Sequence, residues 1–513
     1  MRAVVAVLFL VTAAHAGLWG LLQDKQAAPD FSGTLPSLSY APFEPGHTVA
    51  DVAADSAKVR ADLKTISSIA RAVRLYSSTE GNELVPPIAA EFGLKVTVGA
   101  WIDKDGNRNK REIAAAINLA RKNSNVIGVV VGNETIYRGE QIPIENLGPI
   151  VVTGTSPEDV ERTMTPPDPA EVERINNEES QRIADADAQP AEKRAEAMKW
   201  AIAANNVSRL ARLIQRIKKV VNVPVTTGEI WNIWRDYPQL ANSADFVAAH
   251  VLPYWENFTD TQAVDQAVAM YRLLREQFPG KRIVIAEFGW PSAGYNLMNA
   301  VPGQFEQASV LRNFVGRAEA IGMEFNIVEA IDQPWKFFEG GVGPYWGIFN
   351  ADREAKFSWT GPIVNPDYWK LATIALLVGI LLSLPILRLS EPTVMQALVL
   401  SAAANAVGAW AATVFAYWNT HYFLWGSAFA LGLGTVLLVP LILIAMARIE
   451  EIAAVAFGRG PRRLVTKSAA LAPATIGENV AFPKVSIHIP AYYEPVEMLK
   501  QTLDSVARLD YPN

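Results

Sequence analysis

The chain has 513 residues, room for about three domains at ~150 residues each. Half of the residues are hydrophobic and only 19% are charged, which points to membrane segments, while a net charge of −6 without long basic runs argues against a nucleic-acid binder. Cysteine is absent and histidine occurs five times, which excludes disulfide frameworks and thiolate chemistry and argues against a multi-His metal centre; the same composition excludes collagen-like, coiled-coil and wholly disordered chains.

Residues 1–22 open with Arg2 and an apolar run. Ala14-His15-Ala16 before Gly17 fits the cleavage site of a signal peptide, but the run continues to Leu22, about 20 residues, and so also fits a retained signal anchor. Either places residue 23 onward across the membrane.

Residues 30–360 alternate short β-branched runs with helical patterns. The predicted strands are 38–40, 72–76, 95–100, 126–131, 223–227, 246–251, 282–286 and 325–329. Most are continuous apolar runs, as in parallel strands covered on both faces. Helices are predicted between them at 52–70, 110–122, 207–220, 263–278 and 304–320. Eight strands alternating with helices read as an α/β fold, a (β/α)8 TIM barrel. A doubly wound open sheet is the runner-up, but no Gly-rich loop follows the first strand. Residues 139–195 are acidic and poor in aromatics. They read as an insertion at the catalytic rim, either a lid or a solvated excursion.

Barrel chemistry sits where the strands end. Strand two ends in Arg74-Leu75-Tyr76, strand four in Gly132-Asn133-Glu134, strand five in Gly228-Glu229-Ile230-Trp231 and strand six in His250-Val251-Leu252-Pro253-Tyr254-Trp255. Strand seven ends in Glu287-Phe288-Gly289-Trp290-Pro291 and strand eight in Glu329 to Trp335. Two carboxyls at such ends among aromatics are what retaining glycoside hydrolysis needs: a nucleophile, an acid/base and flat faces for sugar rings. Trp231, Trp234, Trp255, Trp290 and Trp335 are candidate sugar platforms, with core packing the alternative for each.

Val130-Val131-Gly132-Asn133-Glu134 and the stretch Ile285-Ala286-Glu287-Phe288-Gly289-Trp290-Pro291-Ser292-Ala293-Gly294 resemble the two active-site motifs of glycoside hydrolase family 17. The resemblance covers about residues 35–355. It implies a (β/α)8 barrel acting on β-1,3-glucan, with Glu134 as general acid/base and Glu287 as nucleophile. Asn133 is the candidate for bonding the sugar 2-OH, and Tyr254 either orients Glu287 or is a rim aromatic that only packs. Arg74, Glu229 and Glu329 are subsite contacts or members of a charge network. The chain departs from the family at Phe288, where Ser or Thr usually follows the nucleophile, and in the acidic stretch after Glu134.

Beyond the barrel come three apolar stretches, within 369–447, at 369–387, 394–416 and 423–447, each long enough to span a bilayer. Tyr368, Trp369, Tyr417, Trp418, Tyr422 and Trp425 mark their ends, as at membrane interfaces. The basic linker 448–483 carries Arg448, Arg459, Arg462, Arg463 and Lys467, which puts it in the cytoplasm and the barrel outside.

Residues 484–513 read as a strand at 485–489, a polar turn and a helix with Val496, Leu499, Leu503 and Val506 on one face. Pro490-Ala491-Tyr492-Tyr493-Glu494-Pro495 resembles the opening of a glycosyltransferase family 2 domain, with Tyr493 in place of Asn. The resemblance places Glu494 near a nucleotide sugar. The metal-binding and catalytic motifs of that family are not within these residues, and the chain reads as a fragment or a truncated frame of a longer protein.

Together the parts resemble bacterial membrane β-glucan synthases of the cyclic β-1,3/1,6-glucan type. The expectation is a multi-pass protein of the bacterial inner membrane with a periplasmic barrel. Its partners are β-glucan, the bilayer and, in the full-length protein, a UDP-sugar. The barrel implies no cofactor; Mg²⁺ or Mn²⁺ belongs to the remainder of the transferase domain. The leading reading is transglycosylation of a glucan made by that transferase. The alternatives are a membrane-anchored endo-β-1,3-glucanase, a non-catalytic glucan guide and a transferase with a lipid acceptor.

Overall fold

The computed structural model describes residues 2–23, 25–42, 55–139, 141–143, 169–365, 367–458 and 486–508. Eight parallel strands close into one barrel: β1 (Leu38–Ser39), β2 (Ala72–Arg74), β3 (Lys95–Ala100), β4 (Val126–Asn133), β5 (Val225–Ile230), β6 (Val247–His250), β7 (Ile283–Phe288) and β8 (Glu324–Ile327). Each strand pairs with the next, and β8 returns to β1 through Leu38 and Ile327. The open-sheet alternative falls with that closure. All eight predicted strands are present, with ends matching or shifted by at most three residues.

In chain order the helices are α1 (Arg2–Leu21), α2 (Ser56–Ser67), α3 (Val85–Glu91), α4 (Gly106–Lys122), α5 (Pro169–Asp187), α6 (Ala191–Lys218) and α7 (Trp231–Asp236). They continue as α8 (Leu240–Ser243), α9 (Asp260–Gln277), α10 (Gln304–Ala320), α11 (Tyr368–Ser383), α12 (Val394–Thr420), α13 (Trp425–Phe457) and α14 (Val496–Ala507). Local chemistry sets several starts. Asp105 accepts from Asn107 and Arg108 N–H at the start of α4, and Thr259 with Gln262 forms a capping box before α9. The core is one continuous layer between strands and helices, Val, Ile and Leu from the barrel packing on apolar helix faces.

Helix 207–220 is longer than expected. It begins at Ala191, so the acidic stretch 139–195 ends in helix. α5 lies within the same stretch and is joined to α6 by the buried pair Arg209–Glu179. Residues 144–168 lie outside the described residues, as do the start of the predicted helix 52–70 and most of the basic linker.

The chain enters and leaves the barrel at one place. The buried Arg312 guanidinium donates to the carbonyls of Ala28 and Pro29 on the incoming segment and Gly361 on the outgoing one, and Gln26 bridges to Ile363. α1 is thereby brought beside α11. Among the described residues four helices are long and apolar enough to cross a membrane by length and composition: α1, α11 with its 3-10 extension to Arg388, α12 and α13.

Of the expected strand 485–489, residue 485 lies outside the described residues, and 486–489 form no strand. Residues 486–490 pair with no other strand among the described residues, and a single strand has no ladder to satisfy its backbone. The helix after it is present as α14, with Val496 and Leu503 exposed.

Candidate active site

A cleft of about 1000 Å³ opens over the C-terminal ends of the strands. Its floor is built by β2, β4, β6 and β7. Gly132, with φ 81°, turns the chain at the end of β4, where a Cβ would strike Thr135 Oγ1. Glu134 follows at φ 53°, a left-handed conformation that non-glycine residues seldom adopt. Strand five holds this turn: Glu134 N–H donates to Gly228 O at 2.7 Å, and Ile136 N–H donates to the Glu229 carboxyl at 2.9 Å.

Five side chains meet at the centre. His250 Nδ1 lies 2.9 Å from Glu134 Oε1, and its Nε2 lies 3.3 Å from Glu287 Oε1. Arg74 Nη1 donates to Glu287 Oε1 at 2.7 Å and to Ala286 O at 2.9 Å, and Nη2 donates to Asn133 Oδ1 at 2.8 Å. Gly228 makes the room: a Cβ there would lie 2.7 Å from both Arg74 Nη2 and His250 Nε2. Glu287 is buried, yet Glu134 is partly open to the cleft. Burial pushes the Glu287 carboxyl up, but His250, Arg74 and Lys336 outweigh it and hold it below the ordinary glutamate range.

Ligand atoms of Glu134, His250 and Glu287 all lie within 4.8 Å of one another, close enough to hold a cation. The Arg74 guanidinium already donates to the Glu287 oxygen that would ligate it, so this centre carries its own positive charge. A second polar group lines the β8 side. Glu329 accepts from Gln333 at 2.7 Å and Lys336 at 3.1 Å, and burial lifts its carboxyl to about 7 despite the lysine.

Of the residues singled out in the sequence, Asn133, Glu134, Glu287, Trp231, Trp255 and Trp335 line the cleft. Trp231 donates to Glu256 at 2.7 Å, and Trp255 stacks on Trp346 at 6.1 Å. Others are corrected. Tyr254 does not orient Glu287; its hydroxyl donates to the Tyr295 carbonyl and its ring packs between Trp255, Trp290 and Trp346. Trp290 and Trp234 are core residues, fully buried, with indole N–H groups donating to Val301 O and Ala248 O. Glu229 is sealed beneath the Glu134 turn and touches no open surface, and of the two roles offered for Arg74 the subsite contact falls while the charge network holds, since it lies under the carboxylates and donates to Glu287. Phe288 faces outward and stacks on Phe314 of α10 at 3.6 Å, so its departure from the motif does not alter the cleft. Glu494 accepts from the N–H of Tyr492 in its own loop.

Sequence reasoning assigned no role to His250, whose one signal was its position ending β6. It also missed Tyr76, Trp101, Lys336 and Trp346, which line the cleft. Tyr76 and Trp101 do end or follow strands, but aromatics there are common. Lys336 and Trp346 sit on the long excursion after β8, where no periodicity marks a site.

Residues 37–153 and 196–347 match the family model of the BtgE/BtgC glycoside hydrolase domain, and the interruption falls inside the acidic stretch. A probable glucan endo-1,3-β-glucosidase, btgC, of Aspergillus terreus is 21% identical over 360 residues, 64% of this chain and 45% of that protein. A glucan 1,3-β-glucosidase of Saccharomyces cerevisiae is 22% identical over 313 residues, 58% of this chain and 83% of that protein. The chain thus spans less than half the length of the Aspergillus relative. An active-site mutant of Rhizomucor miehei β-1,3-glucanosyltransferase, solved in complex with laminaritriose, superposes with a TM-score of 0.45 at 21% identity, covering 63% of this chain and 95% of that one.

Proposed function

The chain belongs to the family of the BtgE/BtgC glycoside hydrolase domain, and on that premise we propose that its barrel is a retaining enzyme of β-1,3-glucan, with Glu287 the nucleophile and Glu134 the acid/base. The observation that carries this reading is the spacing of the two carboxyls, oxygens of which approach within 4.8 Å. Retaining enzymes hold theirs about 5–5.5 Å apart; inverting enzymes leave about 6.5–9.5 Å for a water. In the first half-reaction Glu287 attacks the anomeric carbon while the proton of Glu134 passes to the leaving oxygen. A glycosyl ester forms as the glycosidic bond breaks. In the second half the Glu134 carboxylate takes a proton from the incoming hydroxyl, which displaces Glu287. Arg74 and His250 keep the nucleophile ionised and aimed. Trp231, Trp255 and Trp335 offer faces to glucosyl rings.

Water or a sugar hydroxyl completes the same intermediate. Transfer is supported by the architecture: among the described residues four helices are long and apolar enough to cross a bilayer, and the C-terminal segment resembles the opening of a nucleotide-sugar transferase domain. The full protein then makes a β-glucan from a UDP-sugar with Mg²⁺ or Mn²⁺ at the cytoplasmic face, with Glu494 near the nucleotide. The periplasmic barrel branches, cyclises or extends that glucan outside a bacterial inner membrane. The test is product analysis of the full chain in detergent with reduced laminari-oligosaccharides. Longer or branched products that disappear in Glu287→Ala and Glu134→Gln support transfer, and shorter products alone mean hydrolysis. Binding without turnover leaves the barrel a glucan guide and refutes both catalytic assignments.

A further inference from the structure

We propose that Tyr422, in the hairpin between α12 and α13, is a positioning residue for the wall of the active-site cleft, so that the apolar helices complete the site. The reach of this hairpin into the barrel is direct. Tyr422 Oη donates to Asp332 Oδ2 at 2.9 Å and accepts from Ala351 N–H at 2.9 Å. Tyr422 N–H donates to Tyr345 Oη at 3.0 Å, and the two rings stack at 5.3 Å and 11°. These contacts sit at the two ends of the excursion after β8, residues 332–346.

That excursion is the β8 side of the cleft. Gln333, Trp335, Lys336, Phe338 and Trp346 all line it. Its ends are tied together by Asp332, whose Oδ1 accepts from Gly347 N–H at 2.8 Å and from Lys356 Nζ at 2.6 Å. Asp332 and Lys356 are both almost fully buried. One oxygen of the aspartate is therefore satisfied by the barrel. Its other oxygen takes its hydroxyl partner from the hairpin, and a buried carboxylate oxygen stripped of that partner is costly. Tyr345 precedes Trp346, and Trp346 stacks on Trp255 across the cleft. A displacement at Tyr422 thus reaches a sugar-facing wall through two packed aromatic pairs. The hairpin is held on this side by its own neighbours, since Asn419 Nδ2 donates to Asp367 Oδ2 at 3.1 Å.

The activity arm of the test rests on the glycosidase reading above; the exchange arm does not. The full chain in detergent or nanodiscs is compared as wild type, Tyr422→Phe, Tyr422→Ala and the hairpin control Trp425→Phe. Hydrogen exchange is followed in peptides over 332–349, and kcat and KM with reduced laminari-oligosaccharides. The expected result for Tyr422→Ala is about 10-fold faster exchange over 332–349, from the loss of a hydrogen bond to a charged group. KM is expected to rise about 3- to 10-fold with kcat little changed, because the wall binds and does not react. Tyr422→Phe, which keeps the ring stack, should fall between, and Trp425→Phe should match wild type. Unchanged exchange in both Tyr422 variants overturns the proposal, as does faster exchange with an unaltered KM. If the wild type turns over nothing, the glycosidase reading fails by itself, and the exchange data alone decide whether Tyr422 clamps the wall.

Discussion

Arg74 Nη1 lies 2.7 Å from Glu287 Oε1, and both side chains are almost fully buried. An isolated carboxylate at this depth would be neutral; the guanidinium and the His250 ring are what make it an anion. Strand two, with no carboxyl of its own at the site, therefore sets the charge of the group at the end of strand seven.

Arg74→Met should separate these effects. Glu287 has a lowered folded pKa, so the stability it contributes is present above its unfolded value near 4.5 and is lost as pH falls through the folded value. Without Arg74 that support weakens, and the acid limb of kcat/KM should move to higher pH. Removing one partner of a buried pair also costs about 3–5 kcal/mol, so the variant should melt at lower temperature above pH 5. A pH–rate profile with an unmoved acid limb would show that Arg74 does not hold the charge of Glu287.

Glu229 carries the opposite sign. Burial raises its carboxyl to about 8, against the pull of the Ile136 and Tyr137 amides. Between about 4.5 and 8 the folded chain keeps a proton that the unfolded chain has released, so stability falls as pH rises across that window. Glu229→Gln keeps an oxygen for the Ile136 N–H and cannot ionise. Its melting temperature relative to wild type should therefore climb from pH 5 to pH 8. A constant difference would mean that Glu229 is ionised in the fold.

The barrel was legible because most of its predicted strands are short apolar runs alternating with helical patterns, as parallel strands covered on both faces require. Glu134 and Glu287 were legible because each ends such a run beside a turn residue, Gly132 or Gly289. The side chains around them were not. Tyr254 and Trp255 are adjacent in sequence, and only the turn after β6 decides that one is buried and the other opens to the cleft. Glu229 ends a strand as Glu134 does, but the turn after β4 folds over it. The excursion after β8 could not be read at all, since its order comes from Asp332, Lys356 and a tyrosine about 90 residues away.

Trp255 and Trp290 test that distinction. Trp255 is 41% exposed on the cleft and Trp290 is fully buried. Trp255→Ala should raise KM for laminari-oligosaccharides with a small change in melting temperature. Trp290→Ala should leave a core cavity and cost about 3–5 kcal/mol of stability. Denaturation curves and steady-state kinetics on the two variants check both halves. Equal destabilisation would contradict the division between platform and core.

The N-terminal helix packs against the helices that follow the barrel. A cleavable signal should leave the remaining helices complete without it, and this one does not. His15 Nδ1 lies 2.9 Å from Asn405 Oδ1 on α12, and the Trp19 indole donates to His15 Nε2 at 3.0 Å. Asn405 is buried, and its amide donates to Ser401 O at 2.9 Å, so removal of His15 would leave the Asn405 carbonyl without this partner in an apolar bundle. Val4 packs against Ile386, Ala397 and Leu400 at the far end. We predict that α1 is retained as an anchor. Intact mass of the purified chain should include residues 1–16, whereas an N-terminus at Gly17 would refute the prediction. His15→Leu should then lower the melting temperature in detergent modestly, since such a bond between apolar helices is worth about 0.6–2 kcal/mol.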